Sequence, residues 1–223
     1  MKTKRFKLIS LPLVLLLLFV AWTVVVCLVD VAHIGANDTQ VGLATLNVFF
    51  KDMIRFSDVL YVVTDWLGLI PIAVAMCFAI IGLLQWIKRG LRNVDPCLFV
   101  LGGLYIAVII VYVFFETTVI NYRPVLINGY LESSYPSTTT MLVLSVMPTA
   151  AMQIKRRVEN KTARIILKCF AIIFTVFTVV GRLVSGAHWI SDIVGGAILG
   201  AFFSVTYYCI CSTLENFGIK NKV

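Results

Sequence analysis

Six stretches of the chain are nearly continuous in apolar residues: 8–31, 66–86, 97–115, 138–154, 165–184 and 190–213. Each is near the ~20 residues that an α-helix rising ~1.5 Å per residue needs to cross ~30 Å of hydrocarbon. The fourth is short and rich in Thr and Ser, so it is expected to face other helices rather than lipid. Between the first and second runs, residues 43–62 follow a different pattern. Leu46, Phe49, Phe50, Met53, Phe56 and Leu60 recur at helical spacing, and Lys51, Asp52, Arg55 and Asp58 take the other positions. That pattern predicts an amphipathic helix lying in the membrane interface, as a structural lid over the bundle or as a substrate gate. No internal repeat, low-complexity tract or linker interrupts the chain. The expected fold is all-α: one domain over residues 1–223, with six transmembrane helices plus an interfacial helix.

Composition agrees with a polytopic membrane protein. Hydrophobic residues are 60% and charged residues 13% of the 223, with a mean hydropathy of +0.97. A soluble domain is nearer half apolar and a quarter charged. The contrast excludes an ordinary cytosolic enzyme, a disordered chain, a collagen-like repeat and a disulfide scaffold. The six cysteines lie in or beside apolar runs and read as small packing residues.

The net charge of +8 is read first as a topology signal. With the N-terminus in the cytoplasm, the inner segments hold Lys2, Lys4, Arg5, Lys7, Lys88, Arg89, Arg92, Lys155, Arg156, Arg157, Lys161, Arg164, Lys168, Lys220 and Lys222. Only Lys51, Arg55, Arg123 and Arg182 are left outside. This split follows the positive-inside rule, places both termini in the cytoplasm and leaves no surplus of charge to suggest nucleic acid as a partner. The basic start followed by an apolar run resembles a signal peptide. The run is too long for that and lacks a clear small-residue cleavage site, so it is read as a retained anchor helix.

The chemistry concentrates where the topology rule does not want charge. Arg123, Arg182 and His188 lie at outer helix ends, and Asp192 is inside the sixth run. Ionisable groups at such depth face a cavity and find partners. His188 and Asp192 are spaced i, i+4 and share a helix face. Alone, the pair fits either an oriented nucleophile or a His–Asp staple between helices. The two arginines suit bidentate phosphate binding. The run Tyr135-Pro136-Ser137-Thr138-Thr139-Thr140 opens the fourth helix with hydroxyls, free N–H groups and a favourable dipole for an anion. Together they describe a phosphoryl-transfer pocket at the outer face.

These residues resemble the type 2 phosphatidic acid phosphatase (PAP2) superfamily of membrane lipid-phosphate phosphatases, whose motifs are K-x6-R-P, P-S-G-H and S-R-x5-H-x3-D. The third motif is matched by Arg182, His188 and Asp192, with Gly181 in the serine position. The resemblance implies that His188 is the nucleophile forming a phosphohistidine, that Asp192 orients it, and that Arg182, Arg123, Ser137, Thr138 and Thr139 surround the phosphate. It also implies no metal and no cofactor, and a membrane lipid phosphate or diphosphate as the partner.

The other two motifs are half present. Arg123-Pro124 stands, but Glu116 occupies the lysine position. Pro136-Ser137 stands, but Thr138 and Thr139 replace Gly and His, and that histidine is the family's general acid. A threonine hydroxyl is far too weak an acid for the role. Three chemistries stay open. One is an enzyme acting on a diphosphate such as a polyprenyl diphosphate, whose leaving group needs little protonation, or passing the phosphoryl group to an acceptor. In that enzyme a protonated Glu116 is a candidate replacement acid. Another is a catalytically impaired protein that binds or transports a lipid phosphate. In the third, Glu116 and Glu132 recognise an amine-bearing headgroup, against the simpler expectation that one of them pairs with Arg123 or Arg182. His33 reads as a surface or interface residue, and Trp22, Trp66, Trp86 and Trp189 as anchors or packing.

Overall fold

The computed structural model describes residues 2–220, with side chains described over residues 10–216. The basic side chains of Lys2, Lys4, Arg5, Lys7, Lys220 and Lys222 fall outside the latter range. Helix α1 (Lys2–Leu28) leads into a two-stranded antiparallel ribbon, β1 (Ala32–His33) with β2 (Gln40–Val41). Then follow α2 (Ala44–Met53), α3 (Asp58–Leu67), α4 (Leu69–Arg89), α5 (Pro96–Thr117), α6 (Thr138–Arg157), α7 (Lys161–Val184) and α8 (Ile190–Lys220). Apart from the ribbon the fold is all-α.

Five segments among the described residues are long and apolar enough to cross a membrane: Ser10–Leu28, Asp58–Arg89, Pro96–Thr117, Lys161–Val184 and Ile190–Asn216. The sixth expected span, α6, is too polar to be counted with them. Its polarity has a structural use. Thr140, Ser145, Thr149 and Gln153 are completely buried, and Thr149 reaches Tyr105 of α5 at 2.9 Å. Ser145 and Thr149 also return bonds to the α6 backbone, which removes the cost of burying their hydroxyls. Met141 and Val146 of α6 join Leu101 and Val108 of α5 and Leu199, Phe203 and Tyr207 of α8 in one apolar core. α6 is therefore the polar centre of the bundle, wrapped by more apolar helices whose outer faces stay exposed.

The single interfacial helix expected over residues 43–62 is a second correction. The segment is two helices separated by Ile54–Ser57, and the second one, α3, runs on into α4. Ser57 and Asp58 supply the reason. The Ser57 hydroxyl accepts from Leu60 N–H at 3.3 Å as an N-cap, and Asp58 stands in the first turn. Ser57 N–H meanwhile donates to Ser185 O at 3.0 Å, which pins the break onto the end of α7. Pro71 accounts for the short interruption at Gly68, because its ring cannot accommodate the carbonyl four residues back. Phe49 and Met53 of α2 remain 60% and 63% exposed, while Asn47 is buried against α8.

Glu116, Thr138, Arg182 and Asp192 mark one end of the bundle. Most of the described basic residues lie at the other. There Arg157 meets Asp95 at 2.6 Å and Arg156 meets Glu215 at 2.7 Å, joining α5, α6 and α8. The site residues and most of the described basic residues thus lie at opposite ends of the bundle.

Candidate active site

A hairpin-like loop, an inserted helix and the start of α8 build the site. Asn128 and Gly129 have φ of 50° and 84°, the left-handed geometry that an Asn-Gly turn supplies at little cost. The turn folds residues 121–134 back on themselves: Arg123 N–H donates to Glu132 O at 3.1 Å and Ser134 N–H to Asn121 O at 2.9 Å. This register sets Arg123 beside Glu132 and aims Ser134 at α8. Tyr135 then anchors the loop, buried against Phe19 and Phe115 and bonded to Thr23 Oγ1 at 2.7 Å. α8 approaches closely because Gly196 has no side chain; a Cβ there would lie 2.5 Å from Ser137 O.

At the start of α8, Asp192 turns back on its own helix. Its Oδ2 accepts from Trp189 N–H at 2.9 Å and from Ser134 Oγ at 2.5 Å. Asp192 is fully buried, and its carbonyl oxygen receives Ser137 N–H at 3.0 Å. His188 Nδ1 lies 3.8 Å from Asp192 Oδ2, too far for a hydrogen bond, but 3.2 Å from Ser134 Oγ. On the other side of the ring, Arg182 Nη2 is 3.0 Å from His188 Nε2. The expected direct His188–Asp192 contact is therefore replaced by one through Ser134.

The imidazole has its proton assigned by its neighbours. A guanidinium only donates, so Nε2 accepts from Arg182 and carries the lone pair. The proton then sits on Nδ1 and goes to Ser134, whose own proton goes to Asp192. Burial, followed by the Arg123 and Arg182 charges, holds His188 well below the usual histidine range, and a hydrogen bond to the Ser134 backbone opposes this only in part. A neutral imidazole results, with its Nε2 lone pair turned to Arg182.

The arginines are held by the expected Glu132 and by further groups absent from the expected set. Arg182 is 1% exposed and pairs with Asp65 at 3.4 Å. Arg123 pairs with Glu132 at 3.2 Å and donates to Ser133 O at 3.3 Å. Both guanidiniums sit over the Tyr61 ring, at 5.3 Å for Arg123 and 5.2 Å for Arg182. Each contact of this kind contributes ~0.5–2 kcal/mol, more as the cation loses water. Tyr61 and Asp65 are i, i+4 on α3. Among the described residues, buried Nη1 of Arg123 and buried Nε of Arg182 have no hydrogen-bond partner.

α3 also explains Gly181. A Cβ at this position would come within 2.7 Å of Thr64 Cγ2, so the approach of α3 leaves no room for the serine of the expected motif. Thr139 lies against the α3–α4 junction; a Cβ on Gly68 would sit 3.6 Å from its Cγ2. Thr138 Oγ1 donates to Glu116 Oε1 at 2.9 Å. Glu116 is exposed, so the desolvation needed for a protonated replacement acid is missing. Ser137 is the N-cap of α6, with its hydroxyl engaged by Thr140 and its N–H by α8.

The structure thus gathers Arg123, Arg182, His188 and Asp192, leaves Ser137 a bracing part, and puts Thr138 and Thr139 on the wall towards Glu116 and α3. Sequence reasoning missed Ser134, Tyr61 and Asp65. The Asn128-Gly129 turn signal and the Ser57-Asp58 cap signal were available for the hairpin and for α3. Nothing local marked the side-chain contacts. Among the described residues no group of three or more His, Cys, Asp or Glu is placed to hold a metal ion.

Comparison with known proteins extends the picture. The family model described as "PAP2 superfamily" matches residues 68–215. No curated protein matches the chain. Among solved structures, a transmembrane PAP2 type phosphatidylglycerolphosphate phosphatase from Bacillus subtilis has a similar fold. The TM-score is 0.57 at 17% identity, covering 92% of this chain and 96% of that one.

Proposed function

Since the chain belongs to the PAP2 superfamily, we propose that it transfers a phosphoryl group from a membrane lipid phosphate, with a lipid diphosphate such as a polyprenyl diphosphate as its best substrate. The observation that carries this is the His188 ring, whose unprotonated Nε2 is held by Arg182 at 3.0 Å until a phosphate draws that guanidinium to its own oxygens. Nε2 attacks the terminal phosphorus. The N–P bond forms as the P–O bond to the leaving oxygen breaks, and the electron pair leaves with a lipid monophosphate. Water or an acceptor hydroxyl then attacks the phosphohistidine, breaking N–P and losing a proton. Arg182 and Arg123, each with a free buried N–H, hold the phosphoryl oxygens and the charge that develops on them.

The preference for a diphosphate follows from position 139. With threonine there and an exposed carboxylate at Glu116, no acid is placed to protonate an alkoxide. A phosphate leaving group needs none near neutral pH. Thr138 and Thr139 line the phosphate, and Glu116 meets the headgroup. Glu132 is occupied by Arg123, which supports pairing over amine recognition. In this reading α6 crosses the bilayer as a sixth span, both termini are cytoplasmic and the site opens outward.

The test is phosphate release from a panel of lipid monophosphates and diphosphates by purified protein, with His188→Ala as control. Release from diphosphates alone, lost in the control, is the expected result. A second reading, an impaired binder of lipid phosphates, rests on the same Thr139. Binding of the panel without release, and without a phosphohistidine trapped from radiolabelled substrate, would establish it.

A further inference from the structure

We propose that Ser134 is the positioning residue through which Asp192 acts on His188, so that the nucleophile is oriented by a three-member relay. The inference rests on the phosphohistidine reading above and adds a residue to it.

Three observations fix the relay. Asp192 Oδ2 is already committed to the α8 backbone through Trp189 N–H at 2.9 Å, and its carbonyl to Ser137 N–H at 3.0 Å. The carboxylate cannot move towards His188 without giving up a bond that a buried N–H needs. The 3.8 Å between His188 Nδ1 and Asp192 Oδ2 is therefore a settled distance. Ser134 is completely enclosed, 2% exposed, and reaches both groups with one hydroxyl. Its direction follows from the ring: Arg182 at Nε2 requires the ring proton on Nδ1, so Ser134 Oγ accepts from the ring and its own proton goes to Asp192.

The hairpin register puts the hydroxyl there. Ser134 N–H is bonded to Asn121 O, and Tyr135, the next residue, is locked in the aromatic core. As Nε2 bonds to phosphorus, the ring gains positive charge. Ser134 passes the stabilisation of that charge on from Asp192 and keeps Nε2 aimed. Removing the hydroxyl cuts the link between Nδ1 and Asp192 and lets the tautomer and the ring orientation drift.

Because the chain has two histidines, the ring can be watched directly. Protein labelled with nitrogen-15 histidine, in a His33→Gln background, reports His188 alone by long-range proton–nitrogen correlation in detergent micelles near neutral pH. The expected spectrum has a protonated Nδ1 and an unprotonated Nε2. Ser134→Ala should lose this single tautomer, and Ser134→Thr should keep it. With farnesyl diphosphate as probe, Ser134→Ala should lower kcat about 10–100-fold with KM within twofold, and Ser134→Thr should restore kcat to within about threefold. An Nε2–H ring in the Ser134-containing protein, an unchanged ring in Ser134→Ala, or an unchanged kcat in that variant would overturn the proposal. If no variant releases phosphate, the catalytic reading fails, and the spectra still decide the role of Ser134.

Discussion

Two arginine clusters sit at opposite ends of α6, one partly open to solvent and one with buried donors that have no partner among the described residues. At the basic end Arg157 donates through Nε to Gln153 at 2.7 Å and through Nη2 to Asp95 at 2.6 Å. Gln153 passes its amide to Tyr207 OH. Asp95 also caps α5 through Cys97 N–H at 2.9 Å, and its own N–H is taken by Gln85. That cluster ties four helices together and, among the described residues, leaves no buried arginine donor unpaired. At the site end Arg123 and Arg182 are equally well held, by Glu132, Asp65 and the Tyr61 ring, yet each keeps a buried N–H without a partner. Burying a donor unpaired costs ~1–3 kcal/mol. A fold tolerates that cost where an anionic ligand recovers it, and the nearby His188 says which chemistry follows. Buried charge alone does not mark an active site; incompletely satisfied charge beside a nucleophile does.

The sharpest way to break this contrast is His188→Ala. Turnover should fall by on the order of 10⁴-fold or more, while thermal unfolding is little changed. Next comes the same exchange made at both ends. Arg182→Lys loses the planar fork at the phosphate and should cost roughly 10²-fold in kcat/KM. Arg157→Lys should leave kcat/KM within about twofold and lower the thermal midpoint instead. If the two exchanges had the same effect on activity, the distinction between the clusters would collapse.

Asp95→Asn sharpens the structural half. Asparagine still caps α5, so the loss reports the ion pair with Arg157. A partly buried pair broken on one side should cost about 2 kcal/mol, roughly a 5 °C fall in the midpoint of a detergent thermal scan. Phosphate release should be unaffected.

pH gives a subtler test. Burial first, then the two arginine charges, lowers His188 in the folded protein. The neutral nucleophile therefore persists through the range where an ordinary histidine becomes charged, ~6.5. The kcat/KM of the free protein should show no acid limb from His188 near that value. The linkage has a definite sign: the unfolded chain takes up this proton first as pH falls. Stability is therefore fully present above the unfolded value and declines below it towards the folded one. Thermal midpoints of the parent should fall more steeply than those of His188→Gln across that window. The smallest effect expected is that of Glu116→Gln, less than about threefold in kcat. A much larger loss, confined to substrates with poor leaving groups, would restore Glu116 as the acid.

The legibility of the molecule follows the range of its interactions. Hydrophobic runs are long and local, so the helices could be read from the chain alone, including the Ser- and Thr-rich α6 that ends up enclosed. By composition α6 falls short of the apolar spans, because its hydroxyl and amide side chains face the other helices. His188, Asp192, Arg182 and Arg123 stood out because charge is expensive among apolar neighbours. The capping pair Ser57-Asp58 carried the start of α3, although the continuous apolar pattern around it concealed the break.

The spacing of side chains already determined that His188 and Asp192 share a face and that Arg182 lies close by in the chain, and the resemblance to the family's motifs showed threonine at position 139 where its general acid stands. Tertiary structure alone decided how these groups meet. Asp192 turned to its own helix terminus because a buried Trp189 N–H needed an acceptor. Ser134 entered the space between Asp192 and His188 because an Asn-Gly turn far along the loop set its register. Tyr61 and Asp65 joined the arginines because Gly181 let α3 approach. Apart from the Asp192–Trp189 bond, these contacts join residues far apart in sequence. Each depends on which buried polar group finds which partner once the helices have packed.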